Sequence, residues 1–302
     1  MAGNVLSGRL RLGVGVQGLR VPDGIGRLLK NRLAVVGVLI IATLVIVAVF
    51  APWIAPYDPN AQDCATGALK GPSGGHLLGT DATCRDVLSR LIYGARISLA
   101  VGVLSQVVIL LIALPIGVAA AMGGRGVDNL MMRFTDMVFA FPDLLAIILL
   151  REALRGVSVP GGDVTVLIFA ISIVGWVTVA RVVRAQMLSY KEREFVLAAR
   201  AMGASNFQIF RTHLLPNAMG PVIVVLTFGV PLAIFAESAL SFIGIGVAPP
   251  TATWGRMVDT GYQSIFAVPM LAVYPAIAIS LTMMAFTFLG DGLRDALDPR
   301  GR

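Results

Sequence analysis

Few residues in this sequence have the types and spacing that chemistry requires. The three lysines, Lys30, Lys70 and Lys191, follow leucine or tyrosine, so none completes the Gly-Lys pair of a phosphate-binding loop. The two histidines, His76 and His213, are far apart and fall in different loops, which leaves no ligand spacing for a metal ion. The sequence therefore predicts no catalytic residue, no metal site and no nucleotide-binding site of its own.

The composition is typical of a membrane protein. Of the 302 residues, 57% are hydrophobic and 14% are charged. Uncharged runs of about eighteen or more residues recur, and runs of that length favour membrane-spanning helices. We predict an all-α integral membrane protein with six transmembrane helices. These lie at about residues 33–50, 97–122, 134–150, 164–180, 217–236 and 264–290.

The basic residues predict the side of the membrane on which each loop lies. Seventeen of the 24 lysines and arginines fall in the two terminal segments, the loop at 123–133 and the interval between the fourth and fifth spans. Because excess lysine and arginine marks the cytoplasm, we expect both termini and this interval there. The net charge of +7 then reflects topology and anionic lipid headgroups, and it does not indicate nucleic acid as a partner.

The polar interval at residues 189–217 predicts a helical hairpin. Two pairs of residues have the spacing of a capping box, which marks a helix start: Ser189 with Glu192, and Ser205 with Gln208. Gly203 suits the end of the first helix, because a left-handed residue often stands there. Pro216 is expected to interrupt the second helix before the fifth span.

The first helix of the hairpin is predicted to be amphipathic. One face is formed by Phe195, Ala198, Ala199 and Met202, which follow helical spacing. Leu197 and Arg200 are expected to point away from that face. A cytoplasmic hairpin of this kind is a candidate docking platform for a soluble partner.

The hairpin resembles the EAA loop of ABC-importer permeases, through residues 194–205 and 213–217. The likeness is closest to the second permease subunit of dipeptide and oligopeptide systems. The residues that match the family pattern are Ala198, Ala199, Gly203, Leu215 and Pro216, whereas Leu197 stands where the family usually has glutamate. The resemblance implies an ATPase-coupling loop that also includes Glu194, Phe195 and Arg200.

Four further segments are similar to the same family and extend the resemblance over residues 27–300. They are residues 76–99, 141–145, 240–255 and 290–300. The resemblance implies a type I ABC importer permease in a bacterial inner (plasma) membrane. It also implies a division into a cytoplasmic tail (1–26), a first transmembrane helix with an extracytoplasmic loop (27–95), a transmembrane core (96–290) and a cytoplasmic C-terminal tail (291–302).

The resemblance further implies a set of partners. These are a homologous second permease subunit, two cytoplasmic ATPase subunits that bind ATP and magnesium, an extracytoplasmic substrate-binding protein and a peptide substrate. The chain itself would be a transport subunit without cofactor and not an enzyme. Its substrate-contacting residues are unknown. Two alternatives stay open: a permease of this family for nickel chelates or glutathione, or an ion-coupled secondary transporter or channel.

Three acidic residues, Asp136, Asp143 and Glu237, stand at or near the ends of predicted spans. Charges there are costly and often functional, but proximity to water favours solvated or structural roles. No acid or base lies at the centre of a span, which argues against a proton-coupled carrier. Residues 244–255 are rich in glycine and proline, and they predict either a loop or a short re-entrant segment at the outer mouth.

The two cysteines, Cys64 and Cys84, fall in the loop that we expect outside the cytoplasm. Oxidising conditions there let disulfides persist, so we expect the two to be bonded, with two unpaired thiols as the alternative. The resembled family usually has glycine at the position of Cys84. The expected role is structural, pinning residues 63–86 where a binding protein would dock.

Overall fold

The computed structural model describes residues 21–65 and 67–297, and this part of the chain is helical, with one isolated β-bridge between Thr80 and Asp86. The helices are α1 (Val21–Lys30), α2 (Arg32–Val49), α3 (Ala51–Ile54), α4 (Val87–Met122), α5 (Gly124–Phe139), α6 (Asp143–Ala153), α7 (Gly162–Lys191), α8 (Glu194–Ala201), α9 (Asn206–Ile209), α10 (Leu215–Phe242), α11 (Trp254–Gln263) and α12 (Met270–Leu297).

Five helical stretches in the described residues are long and apolar enough to cross a membrane. They are Arg32–Val49, Val87–Met122, Gly162–Lys191, Asn206–Phe242 and Met270–Leu297. Each contains one of the predicted spans or most of it. The second is longer than predicted because its cap lies earlier: the Asp86 carboxylate accepts a hydrogen bond from the backbone N–H of Ser89, so α4 begins at Val87.

The third predicted span, residues 134–150, is not one helix, and that prediction is wrong. Two shorter helices, α5 and α6, follow one another in its place. Helix α5 ends at Phe139 and does not resume before Pro142, because proline disfavours helical geometry in the residue before it, here Phe141. Pro142 then has extended geometry as the N-cap of α6, and Asp143 places an acid in its first turn.

The core forms where α4 and α7 run side by side and α10 packs across them. Gly117 on α4 permits close contact, because a Cβ there would lie 2.7 Å from the Ala180 carbonyl oxygen of α7. A further contact between these helices is polar, since the buried Ser172 hydroxyl donates to the Ser105 carbonyl oxygen at 3.2 Å. Gly102 likewise lets α4 approach Ile234 of α10.

The division into four segments stays a prediction, and its three boundaries fall inside helices. Helix α1 begins inside the segment predicted as a tail, and Asn31 separates it from α2 by accepting hydrogen bonds from the backbone N–H groups of Leu33 and Ala34. The boundary at 95/96 falls inside α4, and that at 290/291 falls inside α12. Both helices continue because their apolar faces pack against neighbours on either side of the division.

Candidate functional site

The hairpin between α7 and α10 begins with α8 and turns at Gly203. The backbone N–H of Ala204 donates to the Ala199 carbonyl at 3.0 Å, and that of Gly203 donates to the Arg200 carbonyl at 3.0 Å. This pair of bonds is the Schellman motif, which needs a left-handed residue after the last helical turn. Gly203 supplies it with φ of +87°. The prediction that the first helix ends at Gly203 is confirmed.

The two predicted capping boxes have different outcomes. Ser205 caps α9, since its hydroxyl accepts from the backbone N–H of Gln208 at 3.2 Å. Ser189 caps nothing, and that prediction is wrong because α7 continues without a break to Lys191. The Lys191 ammonium donates to the Ala121 carbonyl at 2.8 Å, so the end of α7 is fixed to the end of α4.

Pro216 does not interrupt the second helix, so that prediction is also wrong. The chain is helical from Asn206 to Phe242, and a π-helical turn at Phe210–Leu214 precedes the proline. The wider π-helical turn makes room for the ring of Pro216. In a regular α-helix this ring would clash with the carbonyl oxygen four residues earlier. The Asn217 side chain donates to the His213 carbonyl. The second arm of the hairpin is therefore continuous with α10.

Helix α8 buries a different face from the one that the sequence suggests. Val196 and Ala199 pack into the core around α7 and α10, whereas Phe195, Ala198 and Met202 remain exposed. Met202 is 83% exposed although it is apolar. The predicted apolar face is thus largely open on this chain, as a surface that docks a partner would be.

A groove of about 260 Å³ lies between the two arms of the hairpin. It is lined by Ala199, Met202, Gly203, Ala204, Gln208, Thr212 and His213. The Phe195 ring contacts His213, which lines the groove, and the two ring centroids are 5.8 Å apart. Three of the lining residues, Ala199, Gly203 and Ala204, are small, so a partner can approach the backbone closely.

The other predicted coupling residues lie on α8 and at the start of α10 and do not line this groove. Glu194 and Arg200 are exposed at opposite ends of α8, each at the end where its charge suits the helix dipole. Pro216 is exposed and Leu215 is partly buried in the core. Phe207, an exposed aromatic residue at the second position of α9, was not predicted from the sequence. Its position two residues after the Ser205 cap was the available signal.

Replacing Leu197 with glutamate is expected to preserve assembly. Leu197 is 50% exposed on α8, so the carboxylate stays in water and the cost is within about 0.5 kcal/mol, as for ordinary surface substitutions. Co-purification with partner subunits measures the effect. Val196→Glu is the matched control, because it places the same charge at the fully buried neighbouring position and should prevent folding. If Leu197→Glu folds but loses its partners, Leu197 is buried in an interface.

The loop between α3 and α4 forms a compact lobe, which we call the disulfide lobe (residues 63–86). Cys64 and Cys84 are joined by a disulfide, with Cα atoms 5.1 Å apart. His76 is buried, and its Nδ1 lies 2.8 Å from Asp86 Oδ1. The same carboxylate accepts from Ser89. These bonds fix the lobe to the first turn of α4.

Asp81 connects the disulfide lobe to α4 through ion pairs with two arginines. Its carboxylate contacts Arg85 Nε at 2.9 Å and Arg90 Nε at 3.6 Å. Burial alone would raise the pKa of the Asp81 carboxyl, but hydrogen bonds from Arg85 and Thr83 outweigh it and lower the pKa below its ordinary value. The ionised group therefore stabilises the lobe near neutral pH, and this contribution is lost only as the pH falls below 3.8.

Thiol labelling should detect neither Cys64 nor Cys84 in the intact, non-reduced protein and both after reduction. A disulfide sulfur does not react with thiol reagents, which explains the expected difference. Leu77→Cys is the control, because this exposed position in the lobe should label without reductant. Quantitative labelling of Cys64 and Cys84 without reductant would contradict the bonded state, and labelling only from the cytoplasm would overturn the predicted topology.

Of the two roles expected for an acid at a span end, solvated or structural, Glu237 has the structural one. It is fully buried on α10, with 0% exposure. The Ser241 hydroxyl donates to Oε1 at 2.8 Å, and the Ser98 hydroxyl donates to Oε2 at 3.5 Å. Ser98 also accepts from the backbone N–H of Trp254 at 3.1 Å. Glu237 thereby joins α4, α10 and the beginning of α11.

The glycine- and proline-rich segment after α10 is irregular until α11 begins at Trp254. It includes a cis peptide bond between Pro249 and Pro250. Helix α11 then packs on α10, where a Cβ on Gly255 would lie 2.5 Å from Ser238 Cα. The predicted loop is present, and it leads into a helix that the sequence analysis did not identify.

The remaining two acids are accessible, as expected. Asp143 is exposed at the start of α6. Asp136 is also exposed, and its Oδ1 lies 2.7 Å from Arg181 Nη2 of α7. A second pair of this kind joins Asp128 of α5 to Arg184 of α7.

This arrangement of spans around a polar hairpin defines an integral-membrane transport subunit with the type I ABC importer permease fold. The same fold occurs in a solved structure, "Inward facing conformations of the MetNI methionine ABC transporter: CY5 native crystal form". The match has a TM-score of 0.58 at 19% identity and covers 70% of this chain and 97% of that chain. At that identity, the likeness concerns the fold alone.

The chain belongs to the family of binding-protein-dependent transport system inner membrane components, which residues 113–302 match. Residues 23–72 match the N-terminal TM domain of oligopeptide transport permease C. Among curated relatives, the dipeptide transport system permease protein DppC of Bacillus subtilis (strain 168) is 43% identical over 93% of this chain and 86% of its own length. The oligopeptide transport system permease protein OppC of the same strain is 41% identical, over 93% and 90%.

A relative with a different named substrate is also similar. The glutathione transport system permease protein GsiD of Shigella flexneri serotype 5b (strain 8401) is 38% identical over 91% of this chain and 88% of its own length. The chain is thus a multi-pass inner-membrane permease of a binding-protein-dependent system.

Proposed function

We propose that this chain is the permease subunit through which an ABC importer moves dipeptides or oligopeptides, and that ATPase subunits drive it through the hairpin. The observation that carries the proposal is the hairpin surface. Met202 is exposed on an apolar face beside a groove that small residues help to line. An exposed apolar surface of this kind is costly in an isolated chain and is typical of a site where a partner docks. The two dipeptide and oligopeptide relatives support the substrate class.

The proposed orientation places the hairpin and both termini in the cytoplasm, since the basic residues concentrate on that side. The disulfide lobe and α11 then face the opposite side, where an extracytoplasmic binding protein delivers substrate. A second, homologous permease subunit completes the path.

The proposed source of energy is outside this chain. No lysine in the sequence has the glycine before it that a phosphate-binding loop requires. The chain therefore needs no cofactor, and two ATPase subunits bind ATP and magnesium. When ATP closes these subunits, the hairpin moves with them, and α7 and α10 transmit the movement because the hairpin arms continue into them.

Glutathione is the second candidate substrate, because a glutathione permease is among the similar relatives. Glutathione is itself a small peptide with charged ends, so one path can serve either substrate. The binding protein would then make most of the selection.

Uptake by proteoliposomes tests the proposal. The chain is reconstituted with its second permease, its ATPases and its binding protein, and uptake of a labelled dipeptide is followed with internal or external ATP or with an imposed ion gradient. We expect uptake only when ATP reaches the hairpin side, and competition by unlabelled glutathione separates the two substrates. Uptake driven by a gradient without ATP would identify a secondary transporter instead.

A further inference from the structure

An exposed apolar stripe runs along the end of α2 and continues onto α3. Phe50 is the single residue between the two helices, and its carbonyl accepts hydrogen bonds from the backbone N–H groups of Trp53 and Ile54. The stripe therefore keeps helical spacing across the junction. Its members, each at least 45% exposed, are Val45, Ile46, Val49, Phe50, Trp53 and Ile54.

The opposite side of both helices packs against the protein. On α2, Gly37 allows close contact with α12, because a Cβ there would lie 2.5 Å from the Ala285 carbonyl oxygen. On α3, Ala51 is fully buried. Just beyond α3, the backbone N–H of Tyr57 donates to the Ser89 hydroxyl of α4 at 3.0 Å. The stripe is thus the outward face of a span and of the short helix that follows it.

The length of α2 places Trp53 at a membrane boundary. Lys30 and Arg32 are exposed at the other end of this span, where cationic side chains reach the headgroups. At the helical rise per residue, Trp53 lies about 30 Å beyond Arg32, and the hydrocarbon core of a bilayer is about 30 Å thick. Tryptophan is enriched at such a boundary because its ring is apolar and its indole N–H is polar.

Trp53 differs from the other two tryptophans in its exposure. It is 78% exposed, whereas Trp176 and Trp254 are 4% and 1% exposed. The Phe50 ring lies beside it, with the two ring centroids 5.6 Å apart. Residues 33–54 carry no charged side chain, which suits lipid better than it suits the polar rim of a protein interface. Lipid is therefore the occupant that fits this face.

Tyr57 links this segment to the disulfide lobe. Its hydroxyl donates to the Gly75 carbonyl at 2.6 Å, and its ring centroid lies 4.8 Å from that of His76. His76 in turn contacts Asp86, the N-cap of α4. A fixed position of α3 in the membrane thus also fixes the position of the lobe.

We propose that Phe50, Trp53 and Ile54 insert into the headgroup boundary of the bilayer and anchor the disulfide lobe at the membrane surface. The apolar side chains enter the edge of the hydrocarbon, and the indole N–H of Trp53 donates to headgroup oxygens or water. The anchor requires only that the chain spans the membrane. It is independent of the substrate and of the direction of transport.

Depth-dependent quenching of tryptophan fluorescence tests the anchor. The full complex is reconstituted in vesicles whose lipids carry bromine either near the headgroup or near the end of the acyl chain. The emission of Trp53 is the difference between the unmodified complex and the Trp53→Phe complex. We expect the shallow bromines to quench this emission at least about twofold more strongly than the deep bromines or aqueous iodide, because the ring lies at the headgroup boundary.

Ile46→Trp in the Trp53→Phe background is the matched control. Position 46 lies on the same exposed stripe, about 10 Å nearer the bilayer centre, so the deep bromines should quench it more strongly than the shallow ones. Stronger quenching of Trp53 by iodide would show that water surrounds it. No quenching of Trp53 by bromine or iodide would show that another subunit covers it, and either result overturns the proposal.

Cleavage by a lysine-specific protease tests whether the anchor holds the lobe. Lys70 is bonded twice to Thr80, through its N–H to the Thr80 hydroxyl at 3.1 Å and through its carbonyl to the Thr80 N–H at 3.0 Å. Cleavage after Lys70 therefore requires the lobe to open. In vesicles, Trp53→Gln should accelerate this cleavage at least about threefold, because the polar side chain no longer inserts and the open state is more populated.

Trp53→Tyr is the conservative variant, because tyrosine is also enriched at the membrane boundary. It should be cleaved at the rate of the unmodified protein. Equal cleavage of the Trp53→Gln and unmodified proteins, or an equal acceleration in Trp53→Tyr, would overturn the anchor.

Discussion

Replacing Gly203 with leucine should uncouple ATP hydrolysis from transport. Gly203 has φ of +87°, a conformation that costs a side-chain-bearing residue about 1–2 kcal/mol. An added Cβ meets no atom within 4 Å, so the rest of the leucine extends beside the groove where a partner would seat. Uptake and ATP hydrolysis by the reconstituted complex measure the effect. We expect uptake to fall by more than about tenfold, because a misplaced hairpin no longer transmits the movement of the ATPase subunits; a tenfold loss corresponds to about 1.4 kcal/mol.

Gly124→Leu is the matched control for that experiment. Gly124 also has positive φ, at +77°, and open space around its Cβ position, but it is the first residue of α5 and lies outside the hairpin. The backbone cost is therefore similar, and the hairpin surface is unchanged. If Gly203→Leu retains normal uptake with normal stimulation of the ATPase, or if both variants lose uptake equally, the hairpin is not the coupling element.

Truncating Glu237 to alanine should destabilise the protein and detach α11 from the bundle. The carboxyl group is the acceptor for the buried Ser241 and Ser98 hydroxyls. Each buried polar group left unpaired costs about 1–3 kcal/mol, and the shortened side chain adds a cavity. The loss is measured by thermal unfolding in detergent and by proteolysis within the segment that precedes α11.

Two further variants define the cause of that loss. Glu237→Gln keeps the shape and one acceptor oxygen, so it should recover most of the stability. Glu152→Ala removes an exposed carboxylate that pairs with the exposed Arg155 at 3.1 Å, and it should change stability little. A Glu237→Ala protein with the stability of the Glu152→Ala protein would show that the buried cluster contributes nothing to holding α11.

The features of the hairpin that the sequence predicts correctly depend on local backbone rules. A left-handed helix end requires glycine, and a hydroxyl at Ser205 caps the next helix wherever that segment packs. The Ser189 prediction fails because the same spacing also occurs by chance inside a long helix. Packing of α7 against α4 determines where the helix ends, and α7 therefore continues to Lys191.

The side-chain environments that could not be predicted from the sequence depend on contacts between distant segments. The hydroxyls around Glu237 come from α4 and α10, and 139 positions separate Ser98 from Glu237. Hydropathy places this residue at a span end but does not reveal that α11 covers it. The ion pair between Asp136 and Arg181 could not be predicted from the sequence for the same reason, because the packing of α5 against α7 is a tertiary property.

Cross-linking from the hairpin tests the central claim most directly. A photoreactive amino acid replaces Met202, which is exposed beside the groove, and in a separate variant it replaces Leu77 in the disulfide lobe. Membranes that contain the assembled complex are illuminated, and adducts are identified by mass. The account predicts an adduct from position 202 to an ATPase subunit and none from position 77. An ATPase adduct from position 77, or none from position 202 in a complex that hydrolyses ATP, would contradict it.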